Sequence, residues 1–310
     1  KSYTPLCCFF CLFYYYYHYH YYLIGLSFQI SSNISMACQG DTICRVLLLL
    51  LLQALLVRAF DKRKKAVVVI EILSGPENYE RRERVRQTWL RWKTSDVAYK
   101  FLTDATNDSR QQIENDQYGD LFVLNDTQTR KNLWTHGGSM RHHVRDTLSY
   151  KIYQFMKYAE ENYDYLYFIH MNDDVFLCLE TLLQDFETRQ RHSLYWGWFH
   201  CKGVIRADGQ VIILTRDVVQ QLTSSVLTLK FQFADGLQIG QWLEPYNLTK
   251  FNDPRMIVDS LKPFTANFCN EYLSWHNPLV TFGRIFDAVT QTTFSPKTQP
   301  IPDTVCDRRS

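Results

Sequence analysis

Two hydrophobic spacings alternate along the chain, and their alternation predicts its elements. Residues 66–73 (AVVVIEIL) predict a buried strand, and Ser74-Gly75-Pro76 then turns the chain. From Glu77 to Trp92 the spacing becomes helical, with Val85, Trp89 and Trp92 on an inner face and the arginines outside. Tyr99 to Leu102 predicts a second strand, Arg110 to Tyr118 a helix broken at Gly119, and Leu121 to Leu124 a third strand. An amphipathic helix is expected over Thr147 to Asn162, where Ile152, Phe155, Met156 and Ala159 share a face. Tyr165 to Met171 is another buried-looking strand, and it runs directly into Asn172-Asp173-Asp174-Val175-Phe176. Beyond it the pattern predicts a helix over Leu179 to Arg189, an aromatic strand over Ser193 to Phe199 and a hairpin turn at Asp208-Gly209. Two helices follow, one over Arg216 to Ser225 and one, preceded by Phe233-Ala234-Asp235-Gly236, through Leu237, Ile239, Gly240 and Trp242, the second stopped by Pro245. Periodicity is lost past His276, so residues 281–310 read as a disordered tail. Strands alternating with helices predict an α/β fold, a mostly parallel sheet with covering helices.

Composition narrows this only slightly. With 310 residues, 46% of them hydrophobic, the chain can bury one large core or two small ones. A net charge of +2 gives no case for a nucleic-acid partner. Cys178, Cys201, Cys269 and Cys306 are spread through the body without a CxxC pair, which argues against a zinc ribbon and leaves disulfide pairing open. Asn107, Asn125 and Asn247 each head an N-x-S/T triplet, weak support for a lumenal location. Residues 1–35 are an atypical Tyr/Phe/Cys-rich leader, expected to lie upstream of a true start at Met36. Residues 36–65 then read as a signal anchor or signal peptide with a basic stem. The basic cluster after its apolar run argues against a lumenal body and the sequons argue for one; the lumenal reading is preferred.

The acidic turn after Met171 carries the chemistry. In open α/β sheets, ligands gather beyond the carboxyl ends of strands. Adjacent carboxylates there bind a hard cation, and such a cation holds a diphosphate. The bland alternative is a turn capped by Asp and Asn.

Several blocks, in order, resemble the β-1,3-glycosyltransferase (β-1,3-galactosyltransferase) family, which is built on the GT-A nucleotide-sugar fold. They are Glu80-Arg81-Arg82 through Arg86-Gln87-Thr88-Trp89, Tyr118-Gly119-Asp120-Leu121, the Asn172–Phe176 turn, Tyr195-Trp196-Gly197, and Asp235 ahead of Gly240. Leu194 to Phe199, Trp242 to Pro245, Asp253-Pro-Arg255 and Asn270 to Leu273 are most similar to members that build the glycosaminoglycan linkage region. The resemblance implies a GT-A-like domain over residues 66–280 in a single-pass type II Golgi membrane protein. It implies transfer of galactose from UDP-galactose to galactosyl-xylose on a proteoglycan core protein, or to another galactose-terminated glycan.

Roles follow residue by residue from the same resemblance. Asp174 and His276 match the Mn²⁺ ligands, and carboxylate oxygen with neutral imidazole suits that ion. Asp235 matches the base that accepts the acceptor's proton in an inverting displacement, although an Asp at a helix start is also a favoured cap. Asn172, where the family has Asp, and Asp173 would contact the donor. Arg81, Arg82 and Arg86 are candidates for the diphosphate, against a solvated helix face. Of Trp196 and Trp198, one at most is expected to stack on the acceptor sugar. Three departures weigh against turnover: Asn172, Ala234 in place of an acidic neighbour, and a missing acceptor-side block between Gly209 and Val211. Asn132 to Arg145, with His136, His142 and His143, looks inserted. Two alternatives therefore stay open: a catalytically impaired relative that binds nucleotide sugar or a partner enzyme, and a β-1,3-N-acetylglucosaminyltransferase.

Overall fold

A computed structural model describes residues 63–125, 143–225, 229–231, 233, 235–257, 268–276 and 282–290, with the side chains of 143–147 excepted. All of them fall within the unit Arg63–Ser310. The leader, the Val46–Val57 run, residues 132–142 of the inserted stretch and Ala234 lie outside the described residues. After β1 (Lys64–Lys65), the first predicted strand forms β2 (Val68–Leu73). Helix α1 (Tyr79–Gln87), a 3-10 turn (Trp89–Trp92), β3 (Val97–Asp104), α2 (Ser109–Tyr118) and β4 (Leu121–Leu124) follow. Then come α3 (His143–Asn162), β5 (Tyr163–Asp164), β6 (Tyr167–Asn172), β7 (Val175–Leu177) and α4 (Leu179–Thr188). The chain continues through β8 (Leu194–His200), β9 (Arg206–Thr215), α5 (Arg216–Ser224), α6 (Asp235–Leu243), β10 (Thr249–Asn252) and β11 (Met256–Ile257). It closes with α7 (Phe268–Glu271), β12 (Ser274–His276) and α8 (Phe282–Thr290).

The main sheet has seven strands in the order β10-β8-β9-β6-β2-β3-β4. Its β4, β3, β2 and β6 are mutually parallel, β9 runs antiparallel between β6 and β8, and β10 lies parallel to β8. This is the α/β, mostly parallel sheet expected from the pattern. Successive residues of its central strands face opposite sides. Val68, Ile70 and Ile72 enter one core with α1, α4 and α8, while Val69 and Phe168 enter a second with α3, α5 and α6.

Four expectations change. First, the arginines of α1 are not all outside. Arg82 is 1% exposed and donates to both oxygens of the buried Glu114 at 2.8 and 2.7 Å. Arg86 spans Glu114 and Asp120. Second, Asp208-Gly209 is not a hairpin turn, because the chain reverses over residues 201–205 instead. The dipeptide lies inside β9, where the pairing register jumps: Gly197 opposes Ile212 but Phe199 opposes Ala207. It therefore bulges out of the ladder. Third, the disordered tail expected from residue 281 is overturned for its first part. In α8, Phe282, Ile285 and Val289 are buried, at the i, i+3, i+7 spacing of one helix face, and Phe286 packs on Trp92. Fourth, Trp196 is fully buried core, and its indole N–H donates to Asp253 at 3.0 Å.

A disulfide, Cys178–Cys269, ties the start of α4 to α7. Just beyond α7, β12 pairs antiparallel with β7, placing His276 opposite Val175. The small sheet thereby delivers a residue from near the end of the chain to the acidic turn. Asn107, Asn125 and Asn247 are all exposed. Among the described residues no helix is long and apolar enough to cross a membrane.

Candidate active site

The acidic turn divides its two carboxylates between different tasks. Asp173 is 4% exposed and accepts hydrogen bonds from Ser74 Oγ (2.7 Å), Asn78 Nδ2 (2.9 Å) and Arg81 Nη1 (3.3 Å). Burial pushes its carboxyl above the usual range, with these donors acting in the opposite sense. Both its oxygens are used in closing the turn, so the expectation that Asp173 contacts the donor is corrected. Asp174 Oδ1 is buried without a hydrogen bond among the described residues and lies 3.6 Å from His276 Nε2. Arg81 Nη1 is 3.6 Å from Asp174 Oδ2. Ligand–metal distances for divalent cations are about 2.0–2.6 Å, so one ion could touch both Asp174 and His276. The orphaned oxygen and the imidazole thus fit Mn²⁺. Among the described residues there is no cluster of three or more metal-binding side chains, so other ligands would be water or substrate.

Asp235 opens α6 and lies against the bulge of β9. Its Oδ1 accepts from the N–H of the next residue, Gly236, at 2.7 Å, and the side chain lines the pocket. The approach depends on glycine. A Cβ on Gly209 would fall 2.6 Å from the Asp235 carboxylate, and one on Gly236 would fall 2.8 Å from the Ala207 carbonyl oxygen. Asp235 shares a pocket of about 290 Å³ with Asn172, Asp208, Gln210, His200 and Arg206. His200 Nε2 lies 2.7 Å from Asp208 Oδ2. Gln210 is 1% exposed, and neither its amide nitrogen nor its oxygen has a partner among the described residues.

Of the arginines, only Arg81 reaches the acidic turn; the buried pairing of Arg82 and Arg86 corrects their assignment to the diphosphate. The acceptor-stacking assignment of Trp196 is likewise corrected. Trp198 is half-buried, packs against the same core cluster and meets His200 edge-on at 4.9 Å. Residues two apart on a strand share a face, which explains why the two tryptophans lie together.

Two site residues escaped the pattern reading. Glu71 and His170 sit opposite one another on the parallel strands β2 and β6, both fully buried. Their side chains face the α6 side of the sheet. His170 Nδ1 shares a hydrogen bond with Glu71 Oε2 at 3.1 Å, and Nε2 lies 3.7 Å from Asp235 Oδ2. Burial alone would lower the His170 pKa, but the two carboxylates outweigh it and raise the value to about 10. Asp235 is held below the usual carboxylate range: burial raises it, while His170, the Gly236 N–H and His276 more than offset that. The available signal was a Glu and a His inside otherwise apolar strands, but which residues they face depends on register.

Fold and site define a class: an α/β protein whose sheet gathers two carboxylates and an imidazole at one carboxyl edge, beside a polar pocket. The chain is 25% identical over 246 residues to beta-1,3-galactosyltransferase 6 of Mus musculus, covering 69% of this chain and 70% of that protein. It is also 25% identical over 123 residues to UDP-GalNAc:beta-1,3-N-acetylgalactosaminyltransferase 2 of Danio rerio, spanning 33% of this chain and a quarter (25%) of that protein's length. The sequence similarity supports the β-1,3-galactosyltransferase family. No protein-family model matches the chain. Among solved structures, a glycosyltransferase of PBCV-1 major capsid glycosylation aligns at TM-score 0.36 and 8% identity, over 73% of this chain and 99% of that one. An active-site mutant of LgtC aligns at TM-score 0.39 and 10% identity, over 74% and 98%.

Proposed function

We propose that the protein is an inverting, Mn²⁺-dependent β-1,3-galactosyltransferase of the Golgi lumen. It would move galactose from UDP-galactose to galactosyl-xylose on a proteoglycan core protein. The observation that carries this reading is the convergence of Asp174 and His276, far apart in sequence, within 3.6 Å at the end of β6. Sequence similarity to a protein named as a β-1,3-galactosyltransferase supports the donor and linkage. The three exposed sequons are compatible with a lumenal body.

In this reading Asp174 and His276 hold Mn²⁺, which supplies Lewis-acid neutralisation of the diphosphate when bound. Arg81 would add a fixed positive charge beside it, and the Asn172 amide would hydrogen-bond a ribose hydroxyl. The acceptor hydroxyl attacks the anomeric carbon as the bond to UDP breaks, and Asp235 accepts the hydroxyl proton. His200, Asp208 and Gln210 line the pocket beside Asp235 and offer hydrogen bonds to sugar hydroxyls.

The test is galactose transfer from UDP-galactose to a galactosyl-β-1,4-xyloside by the full chain, with and without Mn²⁺, with UDP-N-acetylglucosamine as a competing donor. Product should require the metal and be lost in Asp174→Ala and His276→Ala. Asp235→Asn should lower kcat by about 10²–10⁴-fold. A second reading, nucleotide-sugar binding without turnover, is favoured by Asn172 in the acidic turn. It gains if the folded chain binds UDP and makes no product.

A further inference from the structure

We infer that Glu71 and His170 form a buried support that fixes the Asp235 carboxylate, so that both act on turnover through Asp235 and not through the donor. This rests on the reading of Asp235 as the base. Parallel pairing of β2 with β6 sets Glu71 directly beside His170 in the middle of the sheet. The imidazole is fully buried, and its Nδ1 is engaged by Glu71. Its other nitrogen, Nε2, has no hydrogen-bond partner among the described residues and points to Asp235 Oδ2, 3.7 Å away.

An apolar pair would fill the same two positions without burying ionisable groups, which is costly unless they are paired. Asp235 supplies the reason to keep them. One of its oxygens is held by the Gly236 N–H and the other faces His170, so both are oriented from behind while the side chain remains 21% exposed to the pocket. A carboxylate that must meet one hydroxyl in an in-line geometry gains from such orientation. The ring charge also keeps Asp235 ionised in a largely buried setting. The arrangement, an imidazole held by one carboxylate and presented to another, follows the logic of a base oriented by a third group. His170 and Glu71 are therefore positioning residues.

The experiment compares His170→Gln and Glu71→Gln with wild type in the full chain, measuring kcat, the UDP-galactose KM and UDP affinity. Each should lower kcat by about 10–100-fold, the range seen on loss of an outer orienting group, with KM and UDP affinity within about twofold. In an Asp235→Asn background, His170→Gln should cause no further loss. Unchanged kcat, or equal loss in both backgrounds, overturns the proposal. Should His170→Gln fail to fold, Glu71→Leu with His170→Leu removes both groups together; it should fold and show the same kcat loss, and full activity overturns the proposal. If wild type transfers no sugar, the reading of the base fails separately. Nitrogen-15 spectra of histidine-labelled protein then decide the support itself: the His170 ring signal should shift in both Glu71→Gln and Asp235→Asn. A ring signal untouched by Asp235→Asn overturns it.

Discussion

Three arginines on α1 do three different things. Arg81 is half exposed and reaches the acidic turn, Arg82 is sealed against Glu114, and Arg86 bridges Glu114 and Asp120 while stacking on Tyr118 at 4.0 Å. Arg82→Met leaves the Glu114 charge buried with one partner fewer. It should cost about 3–5 kcal/mol of unfolding free energy without changing UDP affinity of the folded protein. Arg81→Ala should do the reverse, moving stability by about 0.5 kcal/mol at most while weakening UDP binding. Urea unfolding and calorimetric titration of the two variants separate these roles. His170 gives a pH dependence at the same scale. Its value in the fold, about 10, lies above the ordinary 6.5. Its contribution to stability is thus complete below pH 6.5 and lost as pH rises through 10, with the upward shift of buried Glu71 acting in the same sense at lower pH. Melting temperature should fall over that window in wild type and more shallowly in His170→Gln.

At the scale of elements, the bulge of β9 and the start of α6 are the decisive pair. The bulge carries Asp208, Gly209 and Gln210 away from β8, and α6 seats its first turn on it. Gly236→Ala meets backbone on β9 and should destabilise by about 1–3 kcal/mol, the range for overpacking. Gly209→Ala meets the Asp235 carboxylate first, so its expected effect is on kcat, with a smaller change in melting temperature than Gly236→Ala. Thermal melts beside turnover assays distinguish the two. Asp208-Gly209 resembles a hairpin signal because local turn chemistry is the same in a bulge and a hairpin; only the partner strand tells them apart.

For the molecule as a whole, the small sheet β11-β12-β7 and the Cys178–Cys269 disulfide close the site by holding a late segment against an early one. The bridge closes a loop of 91 residues. Replacing both cysteines by Ser should cost about 2–4 kcal/mol. It should also weaken Mn²⁺ binding, because His276 follows α7 into β12. Differential scanning calorimetry with and without Mn²⁺ checks both effects, and a metal-induced rise in melting temperature that survives intact would sink the second.

Much of the fold was legible in the chain. The runs that became β2 and β6 declare themselves because a strand buried on both faces is largely apolar. Helix α2 ends where Gly119 takes a positive φ of 61°, a local preference readable from one residue. The acidic turn and Asp235 were legible as chemistry because carboxylates clustered after a buried strand are uncommon and match known motifs. Register, burial of charge and long-range pairing were not legible. Whether Arg82 faces water or Glu114 depends on α2, 32 residues on. Whether His170 is inert core or a support for Asp235 depends on α6, and whether His276 meets Asp174 depends on a strand pairing across about a hundred residues. Periodicity and turn chemistry act within a few residues, so the sequence by itself determined the elements. Contacts across the sheet come from burial summed over the whole core, and only the tertiary structure decided which side chains share the site.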